Sequence, residues 1–323
     1  MKPAKTNSII YIISILLIFL NTSCNSSKEP IDEVIKKECE ENNCYNHGEC
    51  LNSGICACED GYEAPYCSDC KIGYKLSPEN KCIPPEEGML YIKATSFKMG
   101  CKKTDDSKCN EEIEKEHEIN LSAFQMDKYE VSVSKYKNCV DANTCTKPIT
   151  NSTNKLCNYG SFSRLEHPVN CITWQQARDY CSFEGKHLPS EAQWELAATG
   201  SKKYRVYPWG NKTPSCDYSV IYDKSAGCNR NRTSIVGSKE NGRSVYSIYD
   251  LAGNVWEWCE DTYDKNYYST SPANNPLNTA SGEYKVVRGG SFDFKKLSML
   301  RNKYRGFAIA EKFSPSIGFR CVK

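Results

Sequence analysis

Histidine is scarce in this chain: there are four in 323 residues, at positions 47, 117, 167 and 187. None stands at ligand spacing from another, which leaves little for a histidine-built metal centre, and each suits a structural role. Net charge is small as well, at +2 with 42 basic against 40 acidic residues, so no charge excess points to nucleic acid. Zincin, phosphate-loop and Ser/His/Asp patterns are missing. No apolar run is long enough for a comfortable membrane span of ~20 residues. The longest, Ile9 to Leu20, follows Lys2 and Lys5 and precedes small residues and Cys24. A basic start, a short apolar core and a small-residue boundary predict an export signal over residues 1–23.

Cysteine, by contrast, is abundant, with 20 in the chain. An exported chain with many cysteines is expected to carry disulfides in an oxidising compartment. Asn21-Thr22-Ser23 before Cys24 resembles a lipoprotein processing site, although the lipoprotein pattern prefers Leu where Asn21 stands. That resemblance implies lipidation of Cys24, and acyl chains would anchor the protein to a membrane. Asn25 is not an Asp-type inner-membrane retention signal, which favours the outer membrane or cell surface over the periplasmic face of the inner membrane. Residues 24–38 are polar and charged and read as a lipidated tether.

Eight cysteines fall within residues 39–82. So short a segment needs disulfides in place of a core. The stretch CYNHGECLNSGICACEDGYEAPYC, with its Cys56-x-Cys58 step and Gly61-Tyr62 turn, resembles an EGF-like module, here assigned to residues 39–83. The resemblance implies the pairs Cys39–Cys50, Cys44–Cys56 and Cys58–Cys67, with Cys70–Cys82 closing an extra loop. Lys36-Lys37-Glu38 before the first cysteine offers no calcium ligands to this module, which reads as a spacer.

Pro84-Pro85 marks the start of a larger domain, residues 84–323, punctuated by Gly, Asn, Ser and Pro. Capping boxes at Thr173-x-x-Gln176 and Ser190-x-x-Gln193 predict two helices, the second stopped by Gly200, and a third helix is expected from Ser132. Short strands are expected at Leu90–Ile92, Phe97–Met99 and Lys285–Arg288. So much loop calls for covalent ties. Cys101 with Cys109, Cys139 with Cys145, Cys157 with Cys171, and Cys216 with Cys228 lie close enough to staple local loops. Cys181 with Cys321 would close most of the domain, worth ~4–5 kcal/mol on a chain-entropy estimate. Cys259 is left over, and its aromatic surroundings favour a buried, inert thiol.

Eight stretches in order carry a family likeness: MLYIKATSFKMG, FQMDKYEVSVSKY, HPVNCITWQQARDYC, LPSEAQWELAATG, YPWGN, SIYDLAGNVWEWCED, VVRGGSF and GFRCV. Together they resemble the formylglycine-generating enzyme, or sulfatase-modifying factor, family. The implied fold is α+β with little regular secondary structure, of a C-type-lectin-like kind. The resemblance implies a calcium site, with Asp250 and Glu257 binding through side chains and Gly253 and Val255 through carbonyls; calcium favours such oxygen shells. Where the family's second calcium site would fall, the Cys216–Cys228 loop is expected to replace the ion. Ser291 and Trp256 match positions near the family's substrate groove.

Active members of the family use two cysteines after the RGGS-like residues to hold copper(I). In RGGSFDFKKLSMLRNKYR the matching positions are Phe294 and Met299, which cannot form a thiolate pair. Copper is therefore not expected, since soft thiolates are what that ion selects. The leading expectation is an exported surface lipoprotein whose domain is a calcium-stabilised binding or scaffold module for a protein or glycan. Two alternatives remain: a metal-dependent oxidase of the formylglycine-generating or nonheme-iron type with a diverged site, and a structural component of an envelope machinery.

Overall fold

The computed structural model describes residues 44, 47–50, 56–63, 67, 69–79, 81–201 and 204–323. The export signal, Cys24, the tether and Cys39, and with it the Cys39–Cys50 pairing, lie outside the described residues. The chain divides into two compact units. The smaller runs to Glu59 and takes in 64–68; its described part is a hairpin of β1 (Gly48–Cys50) and β2 (Cys56–Cys58), with the disulfides Cys44–Cys56 and Cys58–Cys67.

The larger unit holds residues 60–63 and 69–323. It therefore begins earlier than Pro84-Pro85. Two short hairpins open it: β3 (Tyr62–Glu63) with β4 (Asp69–Cys70), and β5 (Lys75–Leu76) with β6 (Cys82–Ile83). The Cys70–Cys82 disulfide joins them, and Tyr91 N donates to Gly73 O at 3.0 Å, fastening this stretch to the next strand.

Four further strands make two antiparallel pairs, β7 (Met89–Ile92) with β10 (Phe124–Asp127) and β8 (Thr95–Met99) with β9 (His117–Leu121). Strands β8 and β9 alternate buried and exposed residues, as a half-covered sheet requires. Three helices follow where the capping residues place them. Helix α1 (Val133–Asp141) is capped by Ser132. Helices α2 (Trp174–Phe183) and α3 (Glu191–Thr199) both carry complete capping boxes, at Thr173/Gln176 and Ser190/Gln193. Gly200, at φ 71°, ends α3 in a conformation that β-carbon-bearing residues avoid.

The largest sheet is built late in the chain, in the order β13 (Gly306–Ile309), β12 (Tyr284–Arg288), β11 (Trp256–Thr262), β14 (Ile317–Gly318). Its β11–β14 pair is parallel. Strand β11 is buried on both faces, so it shows no alternation in the sequence. One core cluster gathers α1, α2 and the sheet around Tyr136, Trp258 and Phe319. A second gathers α3 and β7–β10 around Trp194, Ile119 and Met126, and a smaller one holds Ile221, Ala252 and Leu300.

Eight disulfides are present among the described residues. In the large unit the remaining five join Cys101–Cys109, Cys139–Cys145, Cys157–Cys171, Cys216–Cys228 and Cys181–Cys321. The last spans 140 positions and ties α2 to the C-terminal strand region.

Charge, not only apolar area, fills the centre. Glu191 and Glu195 stand one turn apart on α3 and are both buried. Arg288 reaches Glu191 at 2.6 Å and Glu195 at 2.7 Å. Arg305 grips both Glu191 oxygens at 2.9 Å, and Lys303 meets Glu195 at 2.8 Å. Beside them Arg301 binds Asp106 at 2.6 Å and Glu114 at 3.0 Å. These cations hold the Glu195 carboxyl down at about 2 despite its burial, with Lys303 and Arg288 the main contributors.

Asp261 meets the start of α3 without a cation in direct contact. It accepts Glu191 N at 2.7 Å and Asn278 N at 2.9 Å. Burial, aided by the Glu191 charge, pushes its carboxyl up to about 7. The unfolded carboxyl titrates near ~3.9. Protonation therefore favours the folded form: the contribution is complete below about pH 4 and disappears as pH rises through about 7. Urea unfolding from pH 5 to 8 should show stability falling with pH, and Asp261→Asn should flatten that fall by on the order of 2 kcal/mol. An unchanged slope in the variant would remove Asp261 from the account.

Candidate functional site

The stretch DLAGNVWEW forms a turn leading into β11. Asp250, Gly253 and Asn254 all take positive φ, at 57°, 84° and 55°. Gly253 has no alternative, because a β-carbon there would lie 2.2 Å from Ser219 Oγ and 2.5 Å from Val220 O. Asp250, Gly253 and Val255 lie on this turn, and Glu257 lies on the strand that follows it. Asp250 Oδ2 accepts Gly237 N at 2.6 Å. Burial raises the Asp250 carboxyl to about 6. Glu130, which the sequence reading did not single out, joins them: it accepts Asn254 Nδ2 at 2.5 Å and Val255 N at 3.2 Å, and burial raises it well above the usual carboxylate range.

Glu257 is held otherwise. Its oxygens receive Arg320 Nε and Nη2, each at 2.7 Å, and Trp194 Nε1 at 2.8 Å. Arg320 also donates to the carbonyls of Asp127 and Tyr249, at 3.0 and 2.7 Å. Glu257 is thus principally the partner of Arg320. Three buried carboxylates, Glu130, Asp250 and Glu257, share that one fully buried guanidinium. An all-oxygen donor set short of positive charge suits a hard divalent cation. Asp250, with the Gly253 and Val255 carbonyls, is the part of the set that Arg320 does not occupy.

The family's groove positions are closed over. Ser291 is fully buried, and its hydroxyl donates to Asp293 Oδ1 at 2.6 Å; Asp293 Oδ2 in turn accepts Ser316 Oγ at 2.6 Å. Trp256 is only 5% exposed. The Phe294 ring stands edge-on to it with centroids 5.7 Å apart, and Tyr304 leans on it at 6.0 Å. Met299 packs against the core cluster beneath. Ser291 and Trp256 therefore do not line an open cleft; Phe294, 40% exposed, forms its outer surface.

Cys259 is the one free cysteine among the described residues. It is fully buried on β11, and desolvation raises its thiol well above the ordinary value. Its carbonyl accepts Trp174 Nε1 at 2.9 Å. The histidines are likewise dispersed. His167 bonds Thr233 Oγ1 at 2.9 Å and is lowered to about 4 by burial, then by Arg164. His117 lies between Lys115 O and Ser271 Oγ. Among the described residues, the groups able to hold a metal by side chain alone are disulfide cysteines, one with Glu114 beside it, and so are already spent.

The family model for the sulfatase-modifying factor enzyme 1-like domain matches residues 75–323. A formylglycine-generating enzyme of Streptomyces coelicolor is 34% identical over 49% of this chain and 53% of its own length. A Bos taurus protein, the inactive C-alpha-formylglycine-generating enzyme 2, is 33% identical over 50% of this chain and 52% of its own. The chain thus spans about half the length of these curated relatives. Among solved structures, PvdO from Pseudomonas aeruginosa is similar in fold at a TM-score of 0.62 and 21% identity, covering 78% of this chain and 98% of that one. From residue 75 to its last residue, the chain belongs to the family of sulfatase-modifying factor enzyme 1-like domains.

Proposed function

We propose that this protein is an exported surface lipoprotein, anchored through Cys24, whose sulfatase-modifying-factor-like domain binds a protein or glycan and does not generate formylglycine. An EGF-like segment spaces the domain from the membrane. One observation carries the reading. The two positions after RGGS that match the family's thiolates hold an aromatic ring, Phe294, and a packed thioether, Met299. The one thiol left among the described residues, Cys259, is buried and held protonated. Copper(I) needs two soft donors facing one point, and a single thioether does not supply them. A fold shared with an enzyme family licenses no activity by itself, and the family includes a relative whose own name calls it inactive.

Calcium belongs to the same reading as a structural ion. Asp250 and the Gly253 and Val255 carbonyls would hold it, with Glu257 contributing from its bond to Arg320. The ion would supply positive charge to Glu130, Asp250 and Glu257, and no chemistry.

Two measurements test these statements. Thiol counting is expected to find no reactive thiol in the native protein and one, Cys259, after denaturation, with no copper(I) retained on dialysis. A native thiol, or stoichiometric copper, contradicts the non-catalytic reading. Millimolar calcium should raise Tm by roughly 5–10 °C, the shift for a site filled near 100-fold above its Kd. Asp250→Ala should abolish that shift. A Tm indifferent to calcium and to chelator would remove the ion from the proposal.

A further inference from the structure

Away from the turn before β11, a cavity of about 220 Å³ lies between the β9–β10 connection, the start of α3 and the loop at Pro276. Its lining joins apolar and polar groups. Leu121 and Leu277 supply apolar wall, and Leu277 is 39% exposed. Six polar residues line the same space; Ser190 Oγ is engaged by Gln193 N, and Asn275 is engaged with Ser122 through both Oδ1 and Nδ2, which leaves Glu260, His187, Gln193 and Ser122.

Their hydrogen bonds leave a definite remainder. Glu260 Oε1 takes Arg178 at 3.4 Å, while Glu260 Oε2 is buried and has no partner. Such an acceptor costs about 1–3 kcal/mol until a donor reaches it. His187 Nδ1 lies 2.8 Å from the Leu188 carbonyl, which makes Nδ1 the protonated nitrogen and leaves Nε2 an acceptor. Gln193 Oε1 is used by Ser190 N at 2.9 Å, so its amide nitrogen is left as a donor. Ser122 Oγ already accepts from Asn275 Nδ2 at 3.0 Å, so its own proton is what it offers.

The remainder is two acceptors and two donors, and it is not ionic. Arg178 flanks the Glu260 carboxylate, and the Lys285 ammonium sits on the Glu260 carbonyl at 3.2 Å. A cationic ligand has no charge left to answer. A neutral molecule with several hydroxyls and an apolar face meets every group. The volume is below the ~300–1,000 Å³ of drug-sized sites, so it admits a single ring.

We propose that this cavity is the subsite for one neutral sugar ring of a glycan. Glu260 Oε2 and His187 Nε2 accept hydroxyl protons, Gln193 and Ser122 donate, and Leu277 covers the ring's C–H face. The proposal deepens the binding reading above and rests on it.

Saturation-transfer NMR tests it, using the full chain with the methyl glycosides of glucose, galactose, mannose and N-acetylglucosamine. At least one should receive transfer. Glu260→Gln should weaken its binding roughly tenfold or more, the loss of one hydrogen bond to a charged acceptor. Leu277→Trp, at an exposed position, should fill the cavity and abolish binding while leaving Tm within about 2 °C. Absence of transfer from all four glycosides would overturn the subsite and leave Glu260 Oε2 to an ordered water only. Binding undiminished in both variants would also overturn it, by placing the sugar elsewhere, while the binding reading itself survived.

Discussion

The paired carboxylates of α3 are the constraint on which the rest of the large unit depends. Glu191 and Glu195 are buried, and buried charge is tolerated only when it is matched and hydrogen-bonded. The matching groups come from far along the chain: Arg288 at the end of β12, and Lys303 and Arg305 in the segment that leads into β13. Removing any one partner leaves a naked charge, at a cost of about 3–5 kcal/mol. Exchanging the whole set for apolar residues could be neutral. The network therefore specifies an arrangement more than it adds net stability: helix, strand and C-terminal segment meet in one way only. The Cys181–Cys321 bridge adds a covalent tie elsewhere, between α2 and the C-terminal end of the chain.

This constraint bears directly on function. The segment from Phe294 to Arg305 contains the two positions, Phe294 and Met299, that the proposed reading matches to a thiolate pair. Here its later part, from Leu300, is mostly buried, and several of its side chains are committed to packing or ion pairs. Phe294 and Tyr304 pack on Trp256, Met299 on the core, Arg301 on Asp106 and Glu114, Lys303 on Glu195, and Arg305 on Glu191. A residue that must both neutralise a buried carboxylate and hold a strand in place is poorly suited to moving through a redox cycle. The same rigidity suits a scaffold that presents a preformed surface, because little ordering entropy remains to oppose binding.

The helices were legible in the sequence because their signals are local. Thr173 and Ser190 lie three residues before Gln176 and Gln193, and both capping boxes form. Strand β11 was not legible as a strand. It is buried on both faces, so it lacks alternation, and its opening residues also read as part of a ligand-bearing turn. Glu191 and Glu195 carry no local mark of burial either. At helical spacing after a serine cap they look like an ordinary solvated face. Only the basic residues between 288 and 305 hint otherwise, and those are drawn together by tertiary structure alone. Glu257 fell between the two cases: its position was clear, but Arg320, not predicted as its partner, takes both of its oxygens. Ser291 was expected at a groove and is instead fully buried, with its hydroxyl donating to Asp293.

The central proposal is that this domain keeps the family's architecture without its oxidation chemistry. The most direct measurement incubates the purified protein with copper(I), oxygen and a sulfatase-type peptide containing one cysteine, and follows the peptide by mass spectrometry. The account predicts that the peptide keeps its thiol at every protein concentration. Appearance of the aldehyde in proportion to added protein would contradict it.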